Sequence, residues 1–429
     1  MRKIESRVRS NASALRTTYK LSTTSRKTNH HQSEPPKKNF HFLLIKKPKH
    51  VAAQQPAEPL RAKKSVDKIM VTGNNETARK PTNEDVIKAL KRLSEALQAD
   101  VFSIKSPPHL SHYREIPTDV QTAYNLLFQG ASMIHATSTK YTLVGKTSME
   151  EQQKLAPDLL RGCEIIGASI HVFFQDGSGC SRSVRESSLR ACMAILLNVT
   201  HLVESFTDGT AMDKNIGAQK TGAVWESCDT ILKKLLPQGN RNAMRRELFT
   251  WTRECSDTME EFQELIDLGP CENSPNNKLG EAEEEEEDLF GGEDQQYSDA
   301  DLPIARACLG IVKCSRGCMK VTLEACEALG MTRDEKYFDS IAHLHELARA
   351  VGEGMTDLGS LLYPPLTPAI EDLRKEMERQ IESIKALQDC IISLESMPPQ
   401  VTELANVLRG AADTRKREVI AAIANALAS

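Results

Sequence analysis

The segment HLHELAR brings together His343, His345 and Glu346, residue types that could hold zinc and polarise a water. Two histidines bind one metal from a helix when they lie four apart on one face, and four residues after His343 stands Leu347. The spacing therefore fits surface histidines on an amphipathic helix. Cys308, Cys314, Cys318 and Cys326 form a second cluster, in which Cys314 and Cys318 could share a helix face. Zinc ligands usually come from loops at Cys-x-x-Cys spacing, so small thiols packed inside a bundle are the expectation. Gly177-Ser178-Gly179 is the nearest approach to a phosphate loop, but it lacks a third glycine, an adjacent lysine and a preceding strand. It reads as a turn between helices. No serine sits in a nucleophile elbow. The sequence thus predicts a non-enzymatic chain with no catalytic, cofactor-binding or metal-binding residues.

The elements that would carry such groups are helical throughout. Aromatic residues are 5% of the 429, and the apolar load falls on Leu, Ile, Ala and Val, which suits helix packing better than sheets. From Asn83 the helical period sets in, with Val86, Ile87, Leu90, Leu93 and Leu97 on one stripe of a helix from Glu84 to about Phe102. A second helix is expected from Thr118, as N-cap, to His135. A third begins at Ser148, where Ser148 and Glu151 fit a capping box, and Pro157 should interrupt it. A fourth carries Leu189, Cys192, Leu196, Val199, Val203 and Phe206. The fifth holds Val224, Cys228, Ile231 and Leu235, and the sixth Met244, Leu248, Trp251, Cys255, Met259, Phe262 and Ile266 before Gly269-Pro270. After residue 300 helices resume: Leu302 to Leu329 closed by Gly330, one from Thr332 to Tyr363-Pro364-Pro365, and a long stripe from Leu366 to Leu394. One or two short Ala-rich helices should follow Pro398-Pro399. The Leu366–Leu394 stripe contains a stutter, which favours packing inside a bundle over a dimeric coiled coil.

Charge divides the chain. Residues 1–69 hold 17 Lys and Arg against four acids, a local charge of +13, so the remaining 360 residues carry −17 within the net −4. The expected organisation is a basic disordered extension (1–81), an N-terminal helical bundle (82–270), an acidic disordered linker (271–300) and a C-terminal bundle (301–429). An acidic body argues against direct nucleic-acid binding. No apolar run reaches the roughly 20 residues of a membrane span. The odd count of 11 cysteines without a signal-peptide h-region fits reduced thiols in cytoplasm or nucleus. In the extension, Lys46-Lys47-Pro48-Lys49 resembles a nuclear-localisation cluster, while Ile4, Val8, Leu15 and Tyr19 could line an organelle presequence. A solvated tail upstream of a start at Met70 is favoured over either. Ser298, with Asp301 three residues on, is a candidate phosphorylation site.

The order of certain stretches is specific. VWESC at Val224–Cys228 and MRRELFTWTRECSDTMEEFQELI at Met244–Ile266 precede the tract from Glu281 to Asp301. IARACLGIVKCSRGCMK at Ile304–Lys320 and LLYPPL at Leu361–Leu366 follow it. This layout resembles the cyclin-D-binding protein family, also described as Maid-like inhibitors of helix–loop–helix factors. The resemblance covers roughly residues 84–395. It implies two all-α antiparallel bundles, similar to talin-type helical domains, without catalysis. It further implies D-type cyclins and helix–loop–helix factors as partners, negative regulation of cell cycle or transcription, and residence in nucleus and cytoplasm. The competing reading is a talin-like helical scaffold or adaptor of the cytoskeleton.

Overall fold

The computed structural model describes residues 81–102, 109–175, 177–270 and 296–428. The basic extension, its Lys46–Lys49 cluster and the positions Ile4 to Tyr19, Met70, and most of the acidic tract lie outside these residues. Among the described residues every regular element is helical, ten α-helices in all with short 3₁₀ turns between them. They are α1 (Asn83–Phe102), α2 (Thr118–Gly145), α3 (Met149–Phe174), α4 (Arg182–Thr207), α5 (Lys214–Leu232), α6 (Gly239–Asp267), α7 (Asp301–Met331), α8 (Phe338–Ser360), α9 (Ile370–Ser393) and α10 (Pro399–Ala428).

The caps explain most of the helix starts. Thr82 and Asp85 reciprocate: the Thr82 hydroxyl accepts from the Asp85 amide at 3.3 Å, and the Asp85 carboxylate accepts from the Thr82 amide at 2.9 Å. Ser148 accepts from the Glu151 amide as its spacing predicts, and Ser181 caps α4 by accepting from Val184. Several expected ends move. Helix α2 continues ten residues past His135: Ser138 and Thr139 place their hydroxyls on the His135 carbonyl within it, and Ser138, Tyr141 and Thr142 carry its buried face on to Gly145. Pro157 sits inside α3 without ending it. Gly330 does not cap α7 but lies within it, where a Cβ would fall 2.2 Å from the Tyr113 ring, so the glycine admits that ring. The expected pair of short C-terminal helices is one helix, α10.

Two cores result. In the first, α1 packs on α3 and α4, α2 on α3 and α5, and α4 on α3 and α5. Helices α2 and α3 approach closely at Gly130 and Gly162, where a Cβ on either would enter the space of Ile166 or Ile134. Helix α4 is long and apolar enough to cross a membrane by length and composition, contrary to the sequence expectation that nothing approaches that size. Its residues from Val184 to Phe206 line this core, and its apolar stripe is spent on neighbouring helices.

The second core is built by α6 to α10, with α7 at its centre against α6, α8, α9 and α10. The cores therefore do not divide where charge divides the sequence. Met244, Leu248, Trp251, Cys255, Phe262 and Ile266 of α6 are buried with α7 and α8, although α6 precedes the acidic tract. Residues 296–300, expected as linker, also belong here in part: Tyr297 is fully buried and its hydroxyl donates to the Leu362 carbonyl at 2.5 Å. The Leu366–Ile391 stripe faces inward throughout, as intramolecular packing.

Candidate interaction surfaces

Among the described residues the His343–Glu346 segment, the α7 cysteines and the Gly177–Gly179 turn each serve packing or a turn. Among the described residues no three His, Cys, Asp or Glu side chains gather at metal-binding distance. The four α7 cysteines are buried free thiols, and burial pushes Cys308 and Cys326 up to about 12 and Cys318 higher still. Cys390 is the one described cysteine that is half exposed. With an excess of a thiol reagent on the native chain, Cys390 is expected to react first among the described cysteines, and the buried thiols only as fast as the fold opens. Equal rates at Cys318 and Cys390, read by peptide mass mapping, would overturn this.

Gly177 and Gly179 make the α3–α4 turn with positive φ of 82° and 64°. The turn is held by Asn240, which is fully buried at the start of α6. Its side chain donates to the carbonyls of His112 (2.6 Å) and Gly179 (2.8 Å) and accepts from the Ser181 amide (2.7 Å). One asparagine thus ties the segment before α2, the α3–α4 turn and α6 together.

Of the histidine pair, His343 is exposed as expected, but His345 is buried at 2% exposure between the two cores, a correction to its reading as a surface residue. Its ring lies 5.6 Å from that of Trp251, and its Nε2 is 3.5 Å from Glu247. Burial, then the Arg349 charge, lower its pKa to about 3. Arg349, also buried, bridges the cores: it reaches Glu186 of α4 at 3.0 Å and Glu247 of α6 at 2.9 Å, and lies over Trp251. Burial raises the pKa of Glu247. Ser183 donates to Glu247 and Arg182 reaches Glu346, so α4, α6 and α8 share one polar network. The charged groups are paired with one another, which makes the cluster structural. Ser298 is exposed, and its hydroxyl accepts from the Asp301 amide at 3.1 Å at the start of α7.

What the surface does offer is an apolar groove along the seam of α2 and α5. A cavity of about 310 Å³ is lined by Tyr124, Leu127, Phe128, Ile231 and Leu236, with Gln121, Asn125 and Lys234 at its edge. It opens because α5 stops at Leu232 and Lys234 turns the chain at φ 55°, which leaves the α2 flank uncovered. The same turn puts Leu235 at the surface, 54% exposed, where the sequence stripe had it inside, and Leu236 enters the core instead. Tyr124 is fixed by its ring 4.9 Å from Phe173 and by its hydroxyl, which accepts from the Gly239 amide and donates to the Pro237 carbonyl. Phe128 is 46% exposed. Two turns along the seam Trp225, 37% exposed, stacks on His135 at 5.4 Å. The sequence signal for both aromatics was their place off the inward stripes, Val224–Cys228–Ile231 for Trp225 and Leu127–Ala131–Ile134 for Phe128. Large side chains there are a liability unless something covers them. A groove with an aromatic rim about 10 Å long, seven residues of α2, fits the apolar face of a short helix.

Comparison with known sequences follows the same order of elements. Residues 126–268 match the family described as Grap2 and cyclin-D-interacting, N-terminal, and residues 281–393 match Grap2 and cyclin-D-interacting, C-terminal. The border between these matches falls in the acidic tract, whereas the cores divide before α6. The chain is also similar to the Cyclin-D1-binding protein 1 homolog of Xenopus laevis, 25% identical over 235 residues, which are 54% of this chain and 67% of that protein.

Proposed function

Because the chain belongs to the Grap2 and cyclin-D-interacting family, we propose that it is a non-enzymatic binding protein that takes a D-type cyclin as partner. The α2–α5 seam supports this reading, since its groove exposes Phe128 and, two turns along, Trp225 stays 37% exposed beside His135. Binding an amphipathic helix there would bury these aromatics, the side-chain type that most often dominates interface energy. Helix–loop–helix factors carry the same kind of apolar helical face, and sequestering them or a cyclin would make the chain a negative regulator. Among the described residues no basic helix precedes the helical pairs, so a mixed dimer with such a factor would lose phosphate contacts and DNA affinity.

The test is a pull-down and titration of purified D-type cyclin on the full chain, with Trp225→Ala and Phe128→Asp as variants. Each should weaken binding by about 2 kcal/mol, roughly thirtyfold in Kd, with little change in the thermal melt because both side chains are surface-borne. Cyclin binding with unchanged affinity in both variants would remove the groove from the interface. No binding by the intact chain would remove the cyclin.

A further inference from the structure

Helix α6 has a second, outward face of different chemistry. Asn242, Arg245, Arg246, Phe249, Thr250 and Arg253 line a shallow depression of about 400 Å³, opposite the face that packs in the second core. Phe249 is 51% exposed at its centre, and the Arg245 guanidinium lies 5.6 Å above its ring. The charge around it is in excess. Glu327 is the shared partner of Arg114, Arg241 and Arg245, one carboxylate for three guanidiniums. Arg246 donates to the Leu235 carbonyl rather than to a carboxylate, and Arg253 meets Asp257 only at 3.5 Å with both side chains mostly exposed.

We propose that the N-terminal half of α6 docks an acidic segment of a protein partner, with an apolar side chain of that segment seated on Phe249 and its carboxylates on the arginines. Charge complementarity sets the sign, and an exposed aromatic among arginines is the composition of interface centres rather than of ordinary surface. Guanidiniums held above a ring and on fixed carbonyls present planar donor pairs suited to carboxylates. The length is bounded as well. From Arg241 to Arg253 the face spans about 18 Å, and beyond it the same side of α6 turns acidic at Asp257, Glu260, Glu264 and Asp267. A continuous polyanion such as nucleic acid would run onto those carboxylates, while a segment of two or three turns would not. This surface is separate from the α2–α5 groove and does not depend on the cyclin reading.

The experiment is fluorescence anisotropy of the full chain with a labelled synthetic peptide of glutamates flanking a central Leu-Phe pair. Binding is expected that falls at least tenfold from low to high salt, since exposed ion pairs are screened. Phe249→Ala and Arg253→Glu should each weaken it about tenfold or more, and both side chains are exposed enough for the melts to stay unchanged. Trp225→Ala should leave it unchanged. A peptide with Leu-Phe replaced by Ser-Ser should bind at least tenfold more weakly. Equal affinity for that control peptide, or for single-stranded DNA, would overturn the proposal by reducing the face to a non-specific polyanion surface. An affinity that rises tenfold when residues 283–288 are deleted would overturn it as well, by assigning the face to the chain's own acidic tract.

Discussion

A fragment of residues 296–429 is expected to lose cooperative unfolding, while one of residues 239–429 keeps it. The fragment without α6 gives up Met244, Leu248, Trp251, Cys255, Phe262 and Ile266, all buried against α7 and α8. Burying side chains of this size contributes about 1.5–3 kcal/mol each, so their removal forfeits on the order of 10 kcal/mol. That is comparable to the whole stability of a domain, about 5–15 kcal/mol. It also opens the apolar flank of α7 to water. The longer fragment keeps all five helices of the core. Helices α1 to α5 supply nearly all of the first core, to which α6 adds Ala243 and the Asn240 tie to the α3–α4 turn. Circular dichroism would show the shorter fragment with reduced helix content and a broad melt. A sharp transition and full helicity from residues 296–429 alone would mean that the second core tolerates the loss of α6 and that the acidic tract is the true border.

The helices were legible because their inward stripes repeat at three and four residues, and the long stripes of α6 and α9 are seen intact in the core. What sequence could not show is which stripe faces which. The stripe on α6 looks the same whether it packs on α5 or on α7, and only the folded chain shows Met244, Leu248, Trp251, Cys255, Phe262 and Ile266 buried in the second core. The acidic tract marks a border in charge and between the family matches, while α6 packs across it into the second core. Helix ends differ from the pattern where a polar run continues a buried face, as from Ser138 to Thr142, or where a residue suited to a cap serves another need, as Gly330 does for Tyr113. The junction was hidden for a related reason. His345 and Arg349 sit four apart like a solvated pair, yet both are nearly sealed, because α4 and α6 bring Glu186 and Glu247 to them from elsewhere in the chain. The groove was half visible: Phe128 and Trp225 stood off the stripes, but the opening between α2 and α5 comes from the backbone turn at Lys234, which no periodicity encodes.

The junction should make the fold acid-labile well above the range in which ordinary carboxylates titrate. His345 is neutral in the folded chain because burial, Arg349 and Arg182 all disfavour its charged form, and a backbone hydrogen bond at Met244 offsets this only in part. Its folded pKa is about 3, against 6.5 unperturbed. Between those values the unfolded chain binds a proton that the folded chain refuses, so stability falls as pH falls. The slope approaches about 1.4 kcal/mol per pH unit within the window, and the full effect is of the order of several kcal/mol. Glu247 works in the opposite sense. Its pKa is raised chiefly by burial, so it stabilises the fold where it is protonated and that contribution is lost as pH rises through its folded value. One carboxylate shifted upward softens the histidine slope without reversing it. Glu327, held down by its arginines, contributes loss only below the usual carboxylate range. The test is urea unfolding of the full chain at several values from pH 7 down to pH 4.5, beside His345→Gln. The variant loses packing on Trp251 and starts less stable, but its stability should change much less with pH over that window, because the carboxylates remain and the imidazole does not. Parallel pH dependences in the two proteins would show that His345 takes up its proton in the folded state, and that the seal between α6 and α8 admits water.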